Sequence, residues 1–124
     1  MTVALWIAQV LLALVFAGAA VTKLKDSREV YAATRPPMTT YALHMPTWLF
    51  KTLGVVELAG AIGVIVPEAT GVAPWLTPVA AVGLGLLMVA ALVDHARRGE
   101  RQAFPINIIL IALAGFVAVG RFAG

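Results

Sequence analysis

The chain has 124 residues, of which 61% are hydrophobic and only 12% are charged. A soluble domain of this length cannot bury so much apolar surface, because about a third of its unfolded area stays exposed after folding. The composition therefore excludes an ordinary soluble domain and predicts one membrane domain, 1–124, in contact with the lipid bilayer. Without cysteine, the chain cannot form disulfides, iron–sulfur clusters or thiol-based redox centres.

Four long apolar segments follow one another along the chain, each close to the roughly 20 residues that a helix needs to cross a membrane. Long Leu- and Ala-rich runs without alternating polarity favour helices over strands. The predicted fold is all-α, an integral membrane four-helix transmembrane bundle. We predict its spans near residues 3–22, 48–66, 74–94 and 105–121.

The basic residues predict the orientation of the spans. Of the nine Lys and Arg residues, Arg121 is the only one on the side of the chain termini. This positive-inside bias predicts a cytoplasmic loop 23–47, a second cytoplasmic loop before the fourth span, and both termini external. The net charge is +3, but the basic residues are distributed by side of the membrane and do not form one basic surface. The charge therefore does not predict a nucleic-acid partner. The first span lacks a preceding basic residue, so we expect a retained helix rather than a cleaved signal peptide.

The loop 23–47 is the longest polar segment of the chain. Its Arg35-Pro36-Pro37 stretch requires extended backbone. Two interpretations stay open: a connector that lies on the lipid headgroups, or a lid over the cytoplasmic mouth of the bundle.

Glu57 lies inside the second span, within "GVVELAGAIG". A carboxylate at mid-membrane costs about 2–4 kcal/mol and usually has a functional reason or a buried partner. The helical repeat places Glu57 on one face with Gly54, Gly60 and Ala61, so its side chain points at a neighbouring helix. The candidate partners for a structural pair are Gln9, Arg121 and Lys23.

Other polar residues fall on the predicted inner faces of the spans. We place Lys23, Asp94, His95 and Asn107 near the cytoplasmic end and Gln9 and Arg121 toward the outer side. Together with Glu57 they predict a polar column with a cation at each end. Interfacial positions for Lys23, Asp94 and His95, and hydrogen bonding between helices for Gln9 and Asn107, are the simpler alternatives. With two histidines in the chain, we predict no metal site.

Small residues recur along each span and predict close helix contacts. The predicted contact positions are Ala13, Gly18, Ala20, Gly54, Ala59, Gly60, Gly63, Ala80, Gly83, Gly85, Ala114, Gly115 and Ala118.

Four stretches resemble the DoxX-like group of small four-helix membrane proteins: "FAGAAVTKL", "LGVVELAGAIGVIVP", "AAVGLGLLMVAALVDHARRGE" and "NIILIALAGFVAVGR". Their order and spacing cover nearly the whole chain. The resemblance implies a bundle in a bacterial inner membrane. Some relatives are linked to quinone-coupled sulfur oxidation or sit beside oxidoreductases in membrane complexes, so a quinone and a membrane or oxidoreductase partner protein are the expected associations.

Three functions remain open at this point, and whether the chain is an enzyme is one of the open questions. The first is an accessory subunit that holds a lipophilic small molecule, with Lys23, Asn107, Gln9 and Arg121 as ligand-binding residues. The second is an intramembrane enzyme for isomerisation, cyclisation or epoxide opening, with Glu57, Asp94 and His95 as acid, base and relay. The third is a proton-relay or transport component, which would require a homo-oligomer.

Overall fold

A computed structural model of the chain describes residues 2–27, 29–30, 46–97, 99 and 104–123. These residues form helices and turns, and no strand is found among them. The helices are α1 (Thr2–Lys25), α2 (Thr47–Gly63), α3 (Val66–Thr70), α4 (Leu76–Arg97) and α5 (Phe104–Ala123). Four segments are long and apolar enough to cross a membrane, namely α1, α2 with α3, α4 and α5. The predicted all-α, four-helix architecture is confirmed.

The four long helices form a ring in which α1 packs against α2 and α5, and α4 packs against the same two helices. Successive spans run in opposite directions, so the bundle has two distinct ends. We call the end where α1 and α4 finish and α2 and α5 begin the loop side. The other end, which holds the start of α1 and the finish of α5, is the termini side.

Large apolar side chains cover the outside of the ring. Val3, Leu14, Val55, Leu86 and Val119 are each more than half exposed, and all of them lie within the long helices. Exposure of so much apolar surface to water is unfavourable by roughly 25 cal/mol for each Å². The surface therefore requires lipid as its solvent, as expected for a multi-pass membrane protein.

Glycines allow several of the helices to approach closely. An added Cβ at Gly54 would lie 3.2 Å from the Lys23 Cβ of α1, and one at Gly63 would lie 2.8 Å from the Ala80 Cβ of α4. Gly60 faces Leu84 in the same way. The predicted small-residue contacts are therefore confirmed at these positions. They are wrong for Gly18, Gly83 and Gly115, where a Cβ would meet nothing within 4 Å because these glycines face outward.

Gly60→Ala is expected to destabilise the bundle by about 1–3 kcal/mol, because the new Cβ would overlap Leu84, which is itself buried in the core. Gly115→Ala is the matched control, since its Cβ meets open space and only helix propensity changes, by up to about 1 kcal/mol in favour of Ala. Unfolding titrations in mixed micelles compare the two variants. Equal stabilities would contradict the close approach of α2 and α4.

Helix α1 continues to Lys25, past the predicted span end at residue 22. Lys51 of α2 helps to explain the extension, because its ammonium donates hydrogen bonds to the carbonyl oxygens of Lys23 (2.7 Å), Leu24 (3.2 Å) and Asp26 (2.6 Å). These carbonyls lack partners within the helix, so a cation there stabilises its last turn. The rest of the predicted loop, including residues 31–45 and their interpretation as connector or lid, lies outside the described residues.

The second span is broken where the sequence predicts its end. Helix α2 stops at Gly63, and the short helix α3 follows after two turn residues and carries Pro67 in its first turn. Proline has no N–H to donate to a carbonyl four residues earlier, so a regular helix is weakened there. Because of the break, the Val64 carbonyl accepts a hydrogen bond from another helix. The break also allows Glu68, which lies on α3, to point in a direction that a continuous α2 would not give it.

Candidate functional site

The loop side of the bundle contains a buried ion pair between α1 and α2. Lys23 Nζ lies 2.7 Å from Glu57 Oε1, and the two side chains are only 6% and 4% exposed. Glu57 thus points at a neighbouring helix, along the face that the helical repeat predicts, and Lys23 is the partner among the three candidates. The close approach of α1 at Gly54, one turn away on α2, brings the two side chains together.

His95 of α4 and Asn107 of α5 are also buried toward the loop side. Gly85 packs against Ala114 where α4 and α5 cross. His95 lies ten residues, about 15 Å, from Gly85, and Asn107 lies seven residues, about 10 Å, from Ala114, both toward the loop side. Each long helix therefore contributes one buried polar side chain to this half of the bundle. We call Lys23, Glu57, His95 and Asn107 the loop-side polar layer.

Asp94 lies apart from this layer. Its residue is exposed, whereas the next residue along α4, His95, is buried. Successive residues of a helix point about 100° apart, so a helix that turns His95 inward turns Asp94 outward. The sequence predicts an inner face for Asp94, and helical spacing puts Ala90 and Gly83 on the same face of α4. The structure shows all three exposed, and that placement is wrong.

The termini side holds a second group of polar residues, arranged around Gln9 and Arg121. The Gln9 amide Nε2 donates to the Val64 carbonyl at 2.6 Å, and Arg121 Nε donates to Gln9 Oε1 at 2.7 Å. Arg121 Nη1 lies 3.0 Å from Glu68 Oε1. The guanidinium also lies 5.3 Å from the centre of the Trp6 ring, within the range of a cation–π contact.

Two buried atoms at this end are unsatisfied. Among the described residues, Thr77 Oγ1 and Arg121 Nη2 are buried side-chain atoms without a hydrogen-bond partner. Thr77 is fully buried in the first turn of α4. With Gln9, Glu68 and Trp6, these two residues form the termini-side polar cluster.

An apolar layer separates the two polar groups. Gln9 and Lys23 are 14 residues apart on α1, about 21 Å along the helix, and the buried side chains between them on that helix are Leu12, Phe16 and Ala20. The core residues of the other helices, such as Leu84, complete this layer. The predicted polar column with a cation at each end is therefore interrupted, because the interior is polar toward both ends and apolar side chains lie between them.

Sequence reasoning missed Glu68 and Thr77. Glu68 was assigned to the connection after the second span, and Thr77 was not distinguished from its apolar neighbours. One signal did exist for Glu68, since it is the only acid near the termini side, where Arg121 is the only cation. Thr77 had no such signal, because its burial depends on how α4 is rotated in the bundle.

No metal-binding geometry is found in the part of the chain that the structure describes, since no three His, Asp or Glu side chains come together there. His44 lies outside the described residues. The absence of a metal site and of a resident cofactor stays a prediction.

Comparison with known proteins identifies the family. The model of the DoxX-like family matches residues 7–117, which include α2, α3 and α4 and most of α1 and α5. No curated protein and no solved structure matches the chain. A match over this much of the sequence agrees with the four membrane-spanning helices of the structure. The chain therefore belongs to the DoxX-like family.

Proposed function

We propose that this protein binds a lipophilic small molecule with hydrogen-bond acceptor oxygens, such as a quinone, and that the loop-side polar layer holds those oxygens. The observation that carries the proposal is the burial of Lys23, Glu57, His95 and Asn107, one from each long helix, in the same half of the bundle. Buried ionisable groups in a membrane span are costly and commonly mark a site of function.

The chemistry of the layer suits such a ligand. The Lys23 ammonium, the Asn107 amide and a ring N–H of His95 are hydrogen-bond donors, and the two carbonyl oxygens of a quinone are acceptors. Glu57 balances the charge of Lys23, so the pair can remain buried when no ligand is bound. The isoprenoid tail would lie against the apolar outer faces of the helices.

We assign the protein an accessory role beside a membrane or oxidoreductase partner. Apart from Lys23, the described residues include two buried titratable side chains, Glu57 and His95, so an acid–base enzyme acting on a hydrophobic substrate is the alternative. Asp94 gives that alternative no support, because it faces outward. A proton path through the bundle is disfavoured by the apolar layer around Leu12 and Phe16.

Decylubiquinone is expected to bind saturably to the purified protein in lipid nanodiscs. Asn107→Leu should weaken this binding about three- to tenfold, the range set by the loss of one neutral hydrogen bond. Thr52→Val is the control, because Thr52 is exposed on α2 and its hydroxyl donates only to the Trp48 carbonyl of its own helix turn. Binding without saturation, or equal affinity for all three proteins, would contradict the proposal.

A further inference from the structure

Two buried atoms of the termini-side polar cluster have no hydrogen-bond partner, and they lie at nearly the same depth along the bundle. Starting from the contact between Gly85 and Ala114, Thr77 lies eight residues, about 12 Å, toward the termini side of α4. Arg121 lies seven residues, about 10 Å, toward the same end of α5. The two unsatisfied atoms, Thr77 Oγ1 and Arg121 Nη2, are therefore at nearly equal depth on adjacent helices.

Both atoms belong to side chains turned into the protein. Thr77 shares its helical face with Ala81 and Leu84, which are core residues. The Arg121 side chain is only 10% exposed. An unmade hydrogen bond on a buried polar atom is costly, so two such atoms at one depth indicate that something outside the chain satisfies them.

The charge of the cluster decides what kind of group fits. The positive charge of Arg121 is already met by Glu68 at 3.0 Å, and its Nε is occupied by Gln9. A further anion would be repelled by the Glu68 carboxylate. An uncharged hydroxyl can accept from Arg121 Nη2 and donate to Thr77 Oγ1 with the same oxygen, which satisfies both atoms.

A shallow and largely open apolar groove lies on the outer face of α1, beside the cluster. It occupies about 400 Å³ along the first half of α1 and is lined by Thr2, Val3, Trp6, Ile7, Val10 and Leu11. Trp6 belongs to both features, because its ring lines the groove and also lies against the Arg121 guanidinium. An alkyl chain in the groove would contact Trp6, whose ring also touches the Arg121 guanidinium.

We infer that the termini-side polar cluster is a second binding site, specific for the hydroxyl group of a long-chain alcohol whose tail lies in the groove along α1. This site is at the opposite end of the bundle from the loop-side polar layer and is independent of the proposed function. Trp6 forms the boundary between groove and guanidinium, so it must shift when the hydroxyl reaches Arg121.

Trp6 fluorescence tests the inference. The chain has three tryptophans, and Trp48→Phe with Trp75→Phe removes the two that are largely exposed and leaves Trp6 as the sole tryptophan. In nanodiscs, 1-dodecanol should change Trp6 emission saturably and at least fivefold more tightly than dodecane or dodecyl phosphate, compared at equal membrane concentration. Equal responses to the three probes, a tighter response to dodecyl phosphate, or no saturable response would overturn it.

Thr77→Val in the same background separates binding from folding. Because the Thr77 hydroxyl has no partner in the folded chain, its removal should leave the unfolding midpoint unchanged or raise it, while dodecanol affinity falls about three- to tenfold. Val119→Ala, on the outer face of α5, is the control and should leave the affinity unchanged. A lower unfolding midpoint for Thr77→Val, or unaltered affinity, would show that the hydroxyl serves only the fold and would overturn the inference.

Discussion

Glu57→Gln is expected to destabilise the bundle by about 3–5 kcal/mol, the cost of removing one member of a buried ion pair. Lys23 Nζ would lose the carboxylate at 2.7 Å while remaining almost fully buried between α1 and α2. Reversible unfolding by SDS in mixed micelles, followed by far-ultraviolet circular dichroism, measures the change. Glu29→Gln is the control at an exposed position, where a surface interaction contributes no more than about 1 kcal/mol to the free energy of unfolding.

The double variant Lys23→Met with Glu57→Leu completes this experiment. Replacing both members of a buried pair by apolar side chains of similar size is often neutral or stabilising, so the double variant should recover most of the stability that Glu57→Gln loses. If Glu57→Gln is as stable as the wild-type protein, the carboxylate and ammonium are not paired in the membrane.

Gln9→Leu should cost about 2–4 kcal/mol, because one substitution leaves two buried groups without partners. The Val64 carbonyl loses its donor at the helix break, and Arg121 Nε loses its acceptor. Each unsatisfied buried group contributes about 1–3 kcal/mol. The same unfolding titration measures this loss.

Thr52→Val is the matched control for Gln9→Leu. Both substitutions remove a polar group that bonds to a carbonyl, but Thr52 is exposed and bonds within its own helix, so its loss should stay below about 0.5 kcal/mol. Similar losses for the two variants would contradict the assignment of Gln9 as the link between α1, the broken second span and α5.

The helices could be predicted from the sequence because their signal is local. A run of about 20 apolar residues must be helical in a membrane, whatever it packs against. The inward direction of Glu57 was also predictable, since the face it shares with Gly54 and Ala61 follows from helical periodicity alone.

The division of the interior into two polar groups with an apolar layer between them could not be predicted from the sequence, because it depends on how the helices are aligned with one another. Whether Glu57 reaches Lys23, Gln9 or Arg121 is decided by the relative depth of α1, α2 and α5, and the sequence does not fix that depth. The pairing of Glu68 with Arg121 depends likewise on the break after Gly63, where the chain turns into α3. A rotation of α4 by one residue would turn Asp94 to the inward direction that His95 has in the structure.

The central claim is that the loop-side polar layer serves ligand binding as well as folding. The variant Lys23→Met with Glu57→Leu tests it most directly, because its fold should be retained while its donor and acceptor are gone. Titration with decylubiquinone in nanodiscs should show at least tenfold weaker binding than to the wild-type protein, as expected for the loss of a charge-assisted hydrogen bond. Wild-type affinity in this folded double variant would contradict the claim and leave the Lys23–Glu57 pair with a structural role alone.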